Sequence, residues 1–285
     1  MMLFFDNIES MKLHNQAFDE GNVTFKLGIN QLSDFSFDEF LKMNEVVSVE
    51  MPFDPMESPL DPDGEFPASF DWRTRGAISK IHEQNLCGMC YAFAALSALE
   101  SHIFIKTGNM TELSVQEILD CAGDEYQSWG CDGGIVFRVF DYIKDHGISC
   151  DSEYPFKGQV ENSTCFSTNE TRIEEMIQGY IAIYAGDEDL MRQTIAKTGP
   201  IIGHIAISNE EFLRYSSGIF IQNNCTALDI NHAMLLVGYG EENGIKYWIA
   251  QNSYGEAWGE SGFIKVATTR EGHCGFEAGL FLPVL

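Results

Sequence analysis

The spacing of apolar side chains changes character along the chain. In FFDNIESMKLHN (4–15), Phe4, Ile8, Met11 and Asn15 recur at helical spacing, and FSFDEFLKMNE (35–45) predicts a second, short helix. CYAFAALSALESHIFIKTG (90–108) is apolar on more than one face and stops at Gly108, which predicts a buried helix beginning near Cys90. LSVQEILDCA (113–122) opens on Ser114 with Glu117 three residues later, a capping box, and VFRVFDYIKDHG (136–147) is amphipathic and ends in Gly147. From about 177 the pattern is that of strands: GYIAIY, IIGHIAI, NHAMLLVGYG, KYWIAQNS, GFIKVA and GLFLPVL. Helices first and strands later predict an α+β protein with two lobes. Between the early helices and this body lies MPFDPMESPLDPDGEFP (51–67), which holds five of the chain's eight prolines. It reads as an extended linker or a joint open to proteolysis.

Composition narrows the classes. With 285 residues, 45% of them hydrophobic, the chain can bury a sizeable core, and no apolar run is long enough to cross a bilayer. The net charge of -26 is spread along the chain: residues 1–66 carry 3 basic and 14 acidic side chains (-11), and residues 67–285 carry 14 and 29 (-15). Such a surface repels phosphate backbones and argues against nucleic acid as a partner. Eight cysteines and five N-x-[ST] sequons, at Asn22, Asn109, Asn162, Asn169 and Asn224, favour routing through the secretory pathway, to a lysosomal or extracellular destination. The opening MMLFFDNIES has neither a basic n-region nor a cleavage site, so the expectation is that a signal peptide lies upstream of the recorded start.

Most of the function turns on QNLCGMCYAF (84–93). Cys87 and Cys90 admit three readings. A redox C-x-x-C expects a βαβ context, and a zinc site expects a second ligand pair; neither accompaniment is found. The third reading places Cys90 at a helix N-terminus, where the dipole and unsatisfied N–H groups favour the thiolate. His232, in DINHAMLLVGYG, is then a candidate base, and Asn252, in YWIAQNSYGEAWGESG, a candidate to orient it. Cys, His and Asn on separate segments form a nucleophile, base and orienter.

These segments resemble the papain-like cysteine proteases of the cathepsin L type. EQNLCGMCYAF is similar to the family's active-site block, NHAMLLVGYG to its histidine block and YWIAQNSYGEAWGESG to its asparagine block. FPASFDWRTRGAISKI resembles the start of the mature enzyme, with LSVQEILDC and GCDGG following in family order. The resemblance covers nearly all of 67–285. Upstream, FFDNIESMKLHN and GINQLSD (28–34) resemble parts of the inhibitory propeptide, with Phe4, Asn7, Met11 and Asn15 in register, Leu32 in place of an aromatic, and the earlier part of the helix missing.

The resemblance implies a two-lobed papain-like fold, a helical lobe and a β-barrel-like lobe with the cleft between them. It divides the chain into a shortened inhibitory propeptide with its joint (1–66) and a peptidase domain (67–285). It implies an endopeptidase made as a zymogen and working without metal or cofactor. Cys90 is its nucleophile, His232 the acid and base, Asn252 the orienter, and the Gln84 side chain and Cys90 backbone N–H the oxyanion hole. The implied disulfides are Cys87–Cys131, Cys121–Cys165 and Cys225–Cys274, leaving Cys90 and Cys150 free. Gly133, Gly134, Ile135, Val136, His204, Ile230, Asn231, Ala233, Trp258 and Gly279 fall on substrate-binding positions, in a pocket apolar enough to favour an aliphatic or aromatic side chain two residues before the cut. His204 occupies a wall that is usually small and apolar. The implied partners are peptide and protein substrates, the chain's own propeptide and cystatin-like inhibitors, with the enzyme a monomer.

Tyr91 and Tyr254 stand where the family carries Trp, and Met89 where it carries a small residue. These departures leave open a catalytically impaired homologue that binds peptides or inhibitors. The propeptide is expected to dock through Phe4, Phe5, Ile8 and Leu32 and through local charge pairs that acid would loosen.

Overall fold

The computed structural model describes residues 2–43, 64–159, 165, 177–183, 187–222, 230–268, 276 and 279–285. Helix α1 (Met2–Asp19), strand β1 (Phe25–Leu27) and helix α2 (Phe37–Met43) form an N-terminal segment. The proline-rich joint lies largely outside the described residues. The body continues with β2 (Phe70–Asp71), α3 (Cys90–Thr107), α4 (Val115–Cys121) and α5 (Val136–His146). It ends with β3 (Gly179–Ile183), α6 (Glu188–Lys197), β4 (Ile201–Ile205), β5 (Tyr215–Phe220), β6 (His232–Glu242), β7 (Ile245–Gln251), β8 (Phe263–Ala267) and β9 (Leu280–Val284).

The strands follow the order β1-β5-β8-β7-β6-β4-β9-β3, with β2 added on β6. Among the described residues this sheet is open and does not close into the expected barrel. Its two ends are β1, brought by the N-terminal segment, and β3, paired with β9. Two cores lie against it. In the first, α3, α4 and α5 pack around Leu235, Val237, Ile249 and Phe281. In the second, Met234, Leu236, Tyr239 and Trp248 join α6 and the N-terminal segment. The alternation of Met234, Leu235, Leu236 and Val237 between the two cores is the period of 2 that a strand buried on both faces imposes.

Local signals account for the helix ends. Gly108 closes α3 with φ 77°. Only half of the capping box forms. Ser114 Oγ accepts the Glu117 N–H at 2.9 Å, while the Glu117 carboxylate accepts instead from Tyr142 Oη and the Ser149 N–H. The Ser114 N–H donates to the Ser149 carbonyl. The sequence reading passed over α6 and β5. The N-cap signal for α6 was present in Asp187, whose side chain accepts the Leu190 N–H.

The N-terminal segment is seated on β5. Phe25 and Lys26 pair with Gly218 and Ser217, and the Gly28 N–H donates to the Arg214 carbonyl at 2.7 Å. Gly218 has φ 91°, and a Cβ there would lie 2.5 Å from the Thr24 carbonyl oxygen, so β1 can close on β5 only at a glycine. Met11, Phe25, Leu27, Leu32 and Phe40 bury themselves in the second core. Leu32 therefore docks as expected, Ile8 packs at the core's edge and Phe4 is half-buried, whereas Phe5 is 62% exposed. Its side chain points away from the body, and Phe25 and Phe40 supply the aromatic contacts instead.

Candidate active site

Cys90 is the first residue of α3 and is fully buried. Its thiol meets the backbone N–H groups of Tyr91, of Cys90 itself and of Ala233, the residue after His232. The helix terminus was expected to favour thiolate. In this form of the protein burial outweighs those donors and pushes the thiol up to about 11. His232 opens β6 and is also fully buried; burial pulls its imidazole down to about 4, against the opposing effect of its hydrogen bond to Asn252. Burial thus disfavours the charged form of each group, and no hydrogen bond joins them.

Asn252 follows β7 and lies 2.8 Å from His232 through Oδ1 and Nε2. Its Oδ1 also accepts the Ser253 N–H at 2.8 Å. A backbone N–H can only donate, so the atom it meets is the amide oxygen, and Nε2 of the imidazole must carry the hydrogen. Gln84 is buried in the stretch before α3. Its Oε1 accepts from Ser253 Oγ at 2.5 Å and its Nε2 donates to the Cys87 carbonyl at 3.0 Å, which fixes the amide's orientation. Cys87 is bonded to Cys131 and Cys121 to Cys165, while Cys90 and Cys150 are free. A Cys87–Cys90 redox pair is thereby ruled out. Cys225 and Cys274 lie outside the described residues, as do Asn162, Asn169 and Asn224; the sequons at Asn22 and Asn109 are exposed. Among the described residues no group of His, Cys, Asp and Glu is placed to hold a metal.

Ile135, Val136 and Ala233 belong to the first core. His204 pairs with Ala233 across β4 and β6, and its Nδ1 lies 2.6 Å from the Gly279 carbonyl, with the ring edge-on to Phe281. Ile230 is half-buried. Asn231 is committed through its side chain: Oδ1 accepts the Ile207 N–H and Nδ2 donates to the Ile207 carbonyl, both at 2.8 Å. Gly134 bridges to Ser128 and lies under the Tyr91 ring, where a Cβ would come within 2.6 Å. The Tyr91 hydroxyl lies 2.6 Å from Ser128 Oγ. Trp258 is fully buried, donates from Nε1 to the Phe212 carbonyl, and stands edge-on to Tyr254.

Tyr254, one of the departures from the family pattern, lies against His232. Its ring stacks on His232, centroids 4.9 Å apart, and its hydroxyl lies 3.4 Å from Nδ1. The N-terminal segment holds it from outside: Gln31 Nε2 donates to the Tyr254 carbonyl, Phe40 meets the ring edge-on, and Leu32 and Phe35 line a cavity of about 180 Å³ with Tyr254, Glu83, Asn85 and Leu86.

A thiol at a helix N-terminus, against a strand whose first residue is a histidine held by an amide, is the arrangement of a cysteine hydrolase. The sequence model of the papain family of cysteine proteases matches residues 66–284. The chain is 34% identical over 286 residues to digestive cysteine proteinase 1 of Homarus americanus, covering 99% of this chain and 87% of that protein. It is 33% identical over 296 residues to cathepsin L1 of Drosophila melanogaster, covering 100% and 79%. Digestive procathepsin L 3 of the Tenebrio molitor larval midgut superposes with a TM-score of 0.87 at 33% identity, over 100% of this chain and 90% of that structure. The chain belongs to the papain family of cysteine proteases; it is a cathepsin L-like, cysteine-type peptidase that carries its own propeptide.

Proposed function

We propose that the chain is a cysteine endopeptidase made as a zymogen, with residues 1–66 as the inhibitory propeptide and 67–285 as the peptidase. In this reading His232 Nδ1 takes the Cys90 thiol proton and the sulfur attacks the scissile carbonyl. The Gln84 Nε2–H and the Cys90 N–H receive the oxyanion, worth about 3 to 4 kcal/mol per donor. The imidazolium gives its proton to the leaving amine, and a thioester remains on Cys90. Water, deprotonated by His232, then releases the acid and restores the thiol. Asn252 keeps Nε2 protonated and the ring aimed. The observation that carries the reading is the 2.8 Å bond between His232 and Asn252, adjoining the Ala233 N–H that meets the Cys90 thiol.

The substrate backbone would lie along Gly133 and Gly134, and its apolar side chain would enter the pocket of Ile135, Val136, Ile230, Ala233, Gly279 and His204. With its side chain committed to Ile207, Asn231 offers a ligand its main chain. Trp258, fully buried, supports the site from beneath Tyr254. The joint at 51–67 is the cleavage region, and Cys225–Cys274 the third disulfide. Disulfides and exposed sequons support secretory routing. Peptide substrates and cystatin-like inhibitors are the outside partners of a monomer.

The test is turnover of a fluorogenic peptide. Cys90→Ala is expected to abolish it while the melting temperature stays near that of the parent, since one small thiol is lost. Retained turnover in the pure variant would overturn the reading.

A further inference from the structure

The Tyr254 hydroxyl meets the nitrogen of His232 on which the chemistry depends. The Ser253 N–H fixes the Asn252 amide, the amide oxygen fixes the hydrogen on Nε2, and Nδ1 of the neutral ring is therefore a bare lone pair. The Tyr254 hydroxyl, 3.4 Å away, can only donate to it. Stacking against the imidazole at 29° between planes, and the edge contact with Trp258, hold the phenol in that position. The propeptide backs it with Gln31 and Phe40.

We infer that Tyr254 is a positioning residue for His232: its hydroxyl donates to Nδ1 and competes with the Cys90 thiol for the lone pair that must receive the thiol proton. The inference rests on the assignment of Cys90 and His232 proposed above. Forming the reactive pair breaks the Cys90 S–H bond, makes an Nδ1–H bond and displaces the Tyr254 O–H···N bond. Protons and electrons balance without any added reagent. The phenol thus holds the pair back in the neutral form while the propeptide presses it into place.

The titratable groups that face the imidazole are Cys90 from α3, His204 from β4, which disfavours its positive charge, and Tyr254 itself from the stretch after β7. Glu83 carries a carboxylate in the backbone stretch that bridges to Tyr254. Of these, only the hydroxyl is removed by Tyr254→Phe with the ring retained.

The experiment uses the full chain. Nitrogen-15 spectra of histidine-labelled protein, with the His232 signal assigned by its loss in His232→Gln, report the state of Nδ1. Alkylation of Cys90 by iodoacetamide, read by mass spectrometry against pH, reports the pair. In Tyr254→Phe, Nδ1 is expected to move toward the shift of a free pyridine-type nitrogen. The alkaline midpoint of alkylation should rise by about half a pH unit, with the rate at neutral pH up about threefold, the worth of one long neutral hydrogen bond. A loosened site would scale the whole rate profile and leave its midpoints in place. Tyr254→Trp, which also lacks the hydroxyl, should behave like Tyr254→Phe and serves if the latter does not fold. An unmoved Nδ1 shift, or a moved shift with unchanged midpoints, overturns the inference. Turnover retained by Cys90→Ala overturns the underlying assignment instead.

Discussion

The seat of the propeptide and the ground around Cys90 are built on opposite principles. The seat is held mostly by groups that do not titrate: the β1–β5 ladder, the Asn30 side chain donating to the Leu213 carbonyl at 2.8 Å, and buried Met11, Phe25, Leu27, Leu32 and Phe40. The interior behind the site buries titratable groups and shifts them. Cys90 rises to about 11, His232 falls to about 4, Glu100 rises to about 8 and His102 falls to about 4, burial being the first cause in each case. The difference teaches where pH acts. Acid has little to break at the seat, whereas the body's stability and its reactive pair both respond to protons.

The largest expected effect breaks the seat. Phe25 packs on Phe220, with ring centroids 4.9 Å apart, and on His14 at 4.5 Å. Phe25→Ala should cost about 3 kcal/mol of docking, or more than about a hundredfold in the occupancy ratio. Turnover by the uncut precursor should then rise steeply at neutral pH. A precursor as silent as the parent would mean that latency does not depend on this contact.

The second sharpens the other side. Glu100 accepts the Leu113 N–H at 2.7 Å from inside α3. Its folded value, about 8, stands above the ordinary 4.5, so the folded state binds the extra proton. Its contribution is therefore fully present below pH 4.5 and lost as pH rises through about 8, at up to about 1.4 kcal/mol per unit. Glu100→Gln should gain stability relative to the parent by about 1 kcal/mol or more between pH 4.5 and 7.5. Urea denaturation at the two pH values decides it; a difference that does not grow with pH contradicts a buried, protonated Glu100.

This contrast also marks what the sequence could convey. The all-round apolar run after Cys90 announced α3, and the blocks around His232 and Asn252 announced the site, because local pattern and motif carry that information. Strand β1 was not legible, since three residues become a strand only when β5 offers an edge. The helix N-terminus at Cys90 is visible in sequence, whereas the burial that pushes its thiol up is a tertiary property. Tyr254 was legible as a substitution but not as a donor to Nδ1, because the aim of its hydroxyl is set by Trp258, Phe40 and His232 together.

The smallest expected effect tests the charge pairs themselves. The ion pair that crosses the seat among the described residues is His14 Nδ1 with Glu211, at 3.4 Å and with the carboxylate 41% exposed. His14 Nε2 faces the Phe25 carbonyl at 3.0 Å, so that nitrogen must donate. A neutral ring then has no hydrogen left for Nδ1, and the pair with Glu211 acquires its charge only when the imidazole is protonated. An exposed pair of this kind is worth about 0.2 to 1 kcal/mol. His14→Gln should therefore change turnover by the uncut precursor less than about fivefold at either pH 4.5 or pH 7, well below the effect of Phe25→Ala. A precursor whose latency collapses in His14→Gln at acidic pH alone would show that charge, and not the neutral ladder with its buried aromatics, holds the propeptide down.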